Sequence, residues 1–334
     1  MTFMEQEARE SPEAVQRFLE RNGAVLAELG KRLRAMEPPL ILTSARGSSD
    51  NAAGYLKYLA EILLGIPCAS VGASVASLYG AKLRAHNALA VTISQSGQSP
   101  DIVALQDEAK RAGALSVAIV NVEDSPAARN ADICLPLFAG PEKSVAATKS
   151  FIVSLTAAAA LVAHWLDDPV LKSAVASLPD NLAEASHQKW PAFVERLANV
   201  DSLYVLGRGP SLPIAAETAL KLKETCAIHA ESYSVAEVMH GPLELVGEGF
   251  TVLVYAQNDQ SLPSTQAAIQ RLKAAGAKLL VAGAGGLPVV HAGHPLLEPI
   301  VMIQSAYLAI EELARTLGRD PDAPRMLRKV TETV

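Results

Sequence analysis

The sequence predicts an α/β protein of two tandem domains, each a parallel sheet with helices on both faces. Three observations predict it. Short apolar strands alternate with helix-length stretches along most of the chain, the pattern of parallel sheets with crossover helices. The order of the first half recurs in the second, so that Arg46-Gly47 falls on Arg208-Gly209 at an offset of about 162 residues. The chain has 334 residues, half of them hydrophobic, enough to bury two cores. The expected organisation is an N-terminal helical segment over 1–36, a first domain over 37–168, a second over 195–319 and a C-terminal tail over 320–334.

Residues Glu5 to Met36 carry helical periodicity, with Pro12 near a helix start and Val15, Phe18 and Leu19 on the apolar face. Pro39 to Ser44 reads as a buried strand, followed by the turn Ala45-Arg46-Gly47-Ser48-Ser49-Asp50 and a helix to about Leu64. Further strands are expected at Ile66–Val71, Ala88–Ile93, Ser116–Val120 and Ile133–Leu137. Phe151 to Leu166 is an alanine-rich apolar run of about 16 residues, short for a bilayer span and read as a buried helix. The polar interval from Asp167 to Trp190 is the expected boundary. Beyond it Leu203–Leu206 is a strand, Gly207-Arg208-Gly209-Pro210-Ser211 a turn, and a helix runs from near Pro213 to about Cys226. Ile66-Pro67-Cys68-Ala69-Ser70 falls on Ile228-His229-Ala230-Glu231-Ser232 at the same offset, which marks a tandem duplication.

Composition excludes several functions. Twenty-nine basic against 35 acidic residues give a net charge of −6 with no Lys/Arg cluster, which argues against nucleic acid as a partner. Met1 to Arg21 is charged throughout and lacks a signal-peptide core, so a cytoplasmic location without a membrane partner is expected. Cys68, Cys134 and Cys226 form no C-x-x-C pair and read as free thiols. The histidines show no metal-binding spacing, with His291 and His294 in a Gly/Pro loop, so no metal is expected.

Val91 to Asp101 reads V-T-I-S-Q-S-G-Q-S-P-D and joins a strand to an amphipathic helix. Ser94, Gln95, Ser96 and Ser99 crowd hydroxyls and an amide around Gly97 in front of a helix N-terminus, which suits a phosphate monoester. Ser99 before Pro100 is placed to supply a capping hydroxyl. Ser48 and Ser49 occupy a second strand-to-helix loop of the same sheet, and a third polar loop runs from Pro141 to Lys149. Each alone reads as a cap or turn; together they suggest an anion pocket at the carboxyl ends of the strands. The second copy has Gln257-Asn258-Asp259-Gln260 at the S-Q-S-G position, whose acid would repel a phosphate. In the second half, Lys221-Leu222-Lys223-Glu224 ends a helix before the apolar Ala227-Ile228, and Glu224 is either a general base or half of a surface pair with Lys221. Glu231 and Glu237 are expected to flank a helix ending at Met239-His240-Gly241-Pro242, with His240 a helix-dipole partner or an acid/base group. Lys329 in the proline-rich tail is a frayed surface residue or a candidate amine nucleophile.

Taken in order, these residues resemble the sugar isomerase (SIS) family in its double-domain form, and specifically the isomerase half of glucosamine-6-phosphate synthase. The resemblance spans essentially the whole chain: Met4-Glu5-x-Glu7 with Ser11-Pro12, Gly47-Ser48-Ser49, Ser94-Gln95-Ser96-Gly97-Gln98-Ser99, Val145-Ala146-Ala147-Thr148-Lys149, Leu206-Gly207-Arg208-Gly209, Ala219 to Glu224, His229-Ala230-Glu231, Glu237-x-x-His240-Gly241-Pro242 and Pro324-Arg325-x-Leu327-x-Lys329. It implies two tandem SIS domains and a phosphosugar substrate. By the resemblance, Ser48, Ser49, Ser94, Gln95, Ser96, Ser99, Val145 and Lys221 bind phosphate and sugar. Glu224 shuttles the proton between carbons 1 and 2, His240 assists ring opening across a homodimer interface, and Lys329 forms a Schiff base with the ketose. The resemblance implies no cofactor and no metal. Ser48 and Ser99 stand where the family has threonine, Ala147 where it commonly has serine, and Arg46 where it has cysteine.

The synthase carries an N-terminal glutaminase domain with a catalytic cysteine, not seen in this sequence. The expectation is therefore an enzyme similar to the SIS-type glucosamine-6-phosphate deaminases, yielding fructose 6-phosphate and ammonia. The alternatives are another SIS enzyme, such as a glutaminase-less aminotransferase-like isomerase, a galactosamine-6-phosphate deaminase or a fructosamine-phosphate deglycase, and a non-catalytic sugar-phosphate sensor. Glu224, His240 and Lys329 together favour the enzyme.

Overall fold

Short runs rich in β-branched and aliphatic residues become most of the strands of two sheets. The computed structural model describes residues 1–327 and 329. Packing divides them into two compact units: Ser11–Glu142 with Lys149–Ala176, and Met1–Glu10 with Lys143–Thr148 and Ser177–Lys329.

The first unit holds β1 (Ile41–Ser44), β2 (Cys68–Ser70), β3 (Leu89–Ser94), β4 (Leu115–Val120) and β5 (Ile133–Pro136). All pairs are parallel in the order β2-β1-β3-β4-β5, with Ile41 opposite Leu89 and Leu89 opposite Leu115. β3 and β4 are buried along their whole length, as expected of central strands covered on both faces. The strand order reverses between β1 and β3. Sheets of this order bind ligands outside the carboxyl ends of the strands at that point.

The apolar run forms the helix Lys149–Leu166, almost wholly buried against the helices Ser11–Met36 and Ser48–Leu59. It is the one helix among the described residues long and apolar enough to cross a membrane, and 89% of it is buried inside the protein. Gly30 permits the close approach of Ser11–Met36 to it, because a Cβ there would lie 2.4 Å from the His164 carbonyl oxygen.

The second unit holds β6 (Ser202–Gly207), β7 (His229–Ser234), β8 (Thr251–Tyr255) and β9 (Lys278–Ala282), parallel in the order β7-β6-β8-β9. That is the order of the first sheet without its fifth strand. Its core helix is Glu298–Thr316, apolar and buried for most of its length. The duplication extends to a distortion. Helix Ser48–Leu59 runs into a π turn at Ala60–Leu64, and helix Leu212–Lys221 into one at Leu222–Cys226, at the same offset. Each turn ends on a left-handed residue, Gly65 (φ 68°) and Ala227 (φ 52°).

Two expectations gain detail and a third needs correction. The N-terminal lead-in is two helices, Phe3–Arg9 and Ser11–Met36, parted at Glu10. The interval from Asp167 to Trp190 is largely helical, with Pro169–Ala176 and Leu178–Ala185. No helix lies between Glu231 and Glu237: Glu231 belongs to β7, whose polar side chains hid its pairing with β6, and Glu237–Met239 is a single 3-10 turn.

Candidate active site

In the first unit the S-Q-S-G loop follows β3, and Ser94, its last residue, is buried. Ser94 Oγ accepts the Gly97 N–H at 3.0 Å and Ser96 Oγ accepts the Gln98 N–H at 3.3 Å, so the hydroxyls shape the loop from within. Gly97 has φ 62°, and a Cβ there would meet Ser125 Oγ at 2.2 Å. No other residue fits. Gln95, Ser96 and Ser99 are half-buried, and Pro100 opens the helix Pro100–Arg111. Ser99 sits at the N-cap position, but its side chain makes no capping bond, contrary to expectation. Ser48 and Ser49, half-buried, begin the helix after β1 behind Gly47 (φ 56°). The two loops thus follow β1 and β3, the strands flanking the reversal in strand order.

Sequence reasoning missed the electrostatics of this loop pair. Asp101, only 1% exposed, lies one residue into the helix, and the guanidinium of Arg46, after β1, forms an ion pair with it. The departure at position 46 therefore offsets a buried carboxylate that would otherwise oppose an anion. In the second copy the matching loop is filled by the protein itself. Glu298 Oε2 accepts the Asn258 N–H at 2.7 Å, while Asp259 Oδ1 accepts from Ser261 N and Oγ at 2.8 and 2.5 Å.

In the second unit the carboxylates and ammonium of Glu217, Lys221 and Glu224 fall on successive turns. Lys221 is 1% exposed and Glu217 fully buried, so the alternative of a surface pair does not hold. Lys221 Nζ is 3.5 Å from Glu217 Oε1 and donates to Glu224 Oε2, while Tyr307 Oη donates to Glu217 Oε1 at 3.0 Å. The π turn carries Glu224, whose side chain keeps 22% of its surface exposed. A buried cation thus fixes a carboxylate that still reaches solvent. The spacing E-x-x-x-K-x-x-E was the available signal for Glu217.

His240 is exposed, next to the 3-10 turn Glu237–Met239, and its N–H reaches the Glu237 carbonyl at 3.0 Å. Val145 is half-buried and its N–H bonds the Asp322 carbonyl at 3.4 Å. Lys329 is half-buried, and its Nζ donates to the Ser144 carbonyl at 2.7 Å, so the tail is tied down rather than frayed at this residue. The tail residues 330–334 lie outside the described residues. Burial pushes the thiol of Cys68 up to about 12 and those of Cys134 and Cys226 to about 11, so all three are free but poorly nucleophilic.

The SIS domain family matches residues 38–164 and 196–282, more than half of the chain. Glutamine–fructose-6-phosphate aminotransferase (isomerizing) from Yersinia pseudotuberculosis is 34% identical over 98% of this chain and 58% of its own length. The chain therefore spans little more than half of that relative. A structure from Silicibacter pomeroyi DSS-3, provisionally described as a phosphosugar isomerase, superposes with a TM-score of 0.93 at 45% identity, covering 96% of this chain and 100% of that one. The C-terminal domain of glucosamine-fructose-6-phosphate aminotransferase from Francisella tularensis gives a TM-score of 0.86 at 28% identity, over 97% and 98%. With two matched segments, two parallel sheets of one strand order and relatives of this kind along its whole length, the chain belongs to the SIS domain family as a tandem, sugar-phosphate-isomerase-like member.

Proposed function

We propose that the chain converts glucosamine 6-phosphate and water into fructose 6-phosphate and ammonia. The observation that carries this reading is the Glu217–Lys221–Glu224 array, which offers a fixed, partly exposed carboxylate for moving a proton between adjacent carbons. The relatives named as isomerising aminotransferases of fructose 6-phosphate support the substrate class.

In this reading Ser48, Ser49, Ser94, Gln95, Ser96 and Ser99 hold the phosphate, and Lys221 and Val145 line the sugar. His240, exposed as a side chain serving a second subunit would be, helps open the ring. Glu224 takes the carbon-2 proton of the open aldose and returns it to carbon 1, leaving a ketose imine. The amine of Lys329 adds to carbon 2 and displaces ammonia; water then releases fructose 6-phosphate and restores the lysine.

The test is product formation by the purified chain supplied with glucosamine 6-phosphate, with galactosamine 6-phosphate and a fructosamine phosphate in parallel. Equal amounts of ammonia and fructose 6-phosphate from the first sugar are expected, and Glu224→Gln lowers kcat by roughly 10²–10⁴ while phosphosugar binding persists. Turnover of only another substrate reassigns the specificity. Binding without turnover of any makes the chain a sensor.

A further inference from the structure

The N-terminal helix Phe3–Arg9 carries a glutamate that the mechanism above does not use. Glu7 is 3% exposed, and its two carboxylate oxygens accept the backbone N–H groups of Lys143 and of Ser144, the latter at 3.2 Å. Ser144 is the residue whose carbonyl accepts from Lys329 Nζ at 2.7 Å. The same short helix also grips the tail from its other end. The N–H groups of Phe3 and Met4 donate to Asp322 Oδ2 and Oδ1 at 2.6 and 2.7 Å, and the Asp322 carbonyl accepts the Val145 N–H at 3.4 Å. Loop 143–148 and Asp322 are therefore fastened to one helix, and Lys329 is tied to that loop through Ser144. All of these groups lie within one compact unit.

A buried carboxylate is costly unless its lone pairs are filled, and charge-assisted bonds to backbone N–H groups are among the strong ones. Two such bonds fix the peptide groups on either side of Lys143. The next peptide group holds both the Ser144 carbonyl, on which the Lys329 amine rests, and the Val145 N–H, which the Asp322 carbonyl accepts, so Glu7 and Asp322 orient that carbonyl from its two sides.

We propose that Glu7 is a positioning residue for the covalent step, holding loop 143–148 so that its Ser144 carbonyl keeps the Lys329 amine in place. Asp322 is the second fastening of the same device. The inference rests on the assignment of Lys329 as the amine that takes over carbon 2.

Glu7→Gln is nearly isosteric but replaces one acceptor oxygen by an NH₂ group, so one of the two N–H groups loses its partner. Two measurements separate the proposal from the reading beneath it. The first is competitive acetylation of the substrate-free protein, followed by mass spectrometry, with buried Lys221 as an internal reference. Losing one strong hydrogen bond of about 1.4 kcal/mol corresponds to about a tenfold change. Lys329 labelling in Glu7→Gln is expected to rise relative to Lys221 by that order, with Glu7→Asp restoring part of the protection. A general loosening of the fold would expose both lysines together. An unchanged ratio, or a parallel rise, overturns the proposal whatever the enzyme does.

The second is borohydride reduction with fructose 6-phosphate present, which turns a Lys329 imine into a secondary amine on that residue. Wild-type trapping with about tenfold slower trapping in Glu7→Gln is the expected result. Equal trapping overturns the positioning role in the covalent step. Deamination by a wild type that cannot be trapped, with the labelling ratio still raised, refutes the covalent role of Lys329 and with it the catalytic purpose assigned to Glu7.

Discussion

Lys221 places an ammonium between two carboxylates, one fully buried and one partly exposed, and this ordering decides what each substitution costs. Removing the cation takes from the buried Glu217 carboxylate the ammonium that stands 3.5 Å from it. Breaking a buried pair from one side costs about 3–5 kcal/mol, whereas replacing both members by fitted neutral groups is often nearly neutral. Lys221→Met should therefore lower the urea-unfolding free energy by about that amount, and adding Glu217→Gln should recover most of it. A Lys221→Met protein as stable as wild type would refute the ion pair as the source of that stability.

At the scale of the loop, Gly97 and Gly47 separate conformation from crowding. Both have positive φ, worth about 1–3 kcal/mol against any other residue. Only Gly97 also has a neighbour where a Cβ would go, with Ser125 Oγ at 2.2 Å and Ser125 Cβ at 2.7 Å, whereas nothing lies within 4 Å at Gly47. Gly97→Ala should therefore lose clearly more stability than Gly47→Ala, read from denaturant midpoints at constant m, and should weaken phosphosugar binding as the loop moves. Equal losses would show that Ser125 yields freely. This loop was legible because a strand of six buried residues, a glycine and a proline at a helix start each have a local signature. β7 was not, because H-A-E-S-Y-S owes its extension to pairing with β6 rather than to alternating apolar residues. The roles of Asp101, Glu298 and Glu7 were hidden for the same reason: their partners lie 40 or more positions away in sequence, or on an arginine whose direction no spacing predicts. Glu217 differs. Its spacing to Lys221 and Glu224 was visible, and only its burial was missing.

Across the whole molecule, pH acts through groups whose protonation differs between the folded and unfolded chain. Burial pushes the His164 imidazole below its ordinary 6.5, with Lys172 and Arg34 acting the same way and Asp167 opposing. The native state thus binds fewer protons than the unfolded chain between the two values, and stability rises with pH through that window. Its contribution is complete above 6.5 and is lost as pH falls toward the native value. Asp132 is held below its ordinary 3.8, where bonds from Lys110 and the Ser116 N–H outweigh burial, and its contribution goes only at lower pH. Acid unfolding followed by circular dichroism should therefore show stability declining in two stages, and His164→Asn should remove the first while leaving the second. The π turns speak about time rather than energy. Because both copies carry the turn at the same place, the extra residue was already in the ancestral unit before it was doubled. Ile62, 53% exposed, stands in the first copy where Glu224 stands in the second. The bend is therefore older than the difference between the halves, and the two copies now present a hydrocarbon and a carboxylate from the same inherited irregularity.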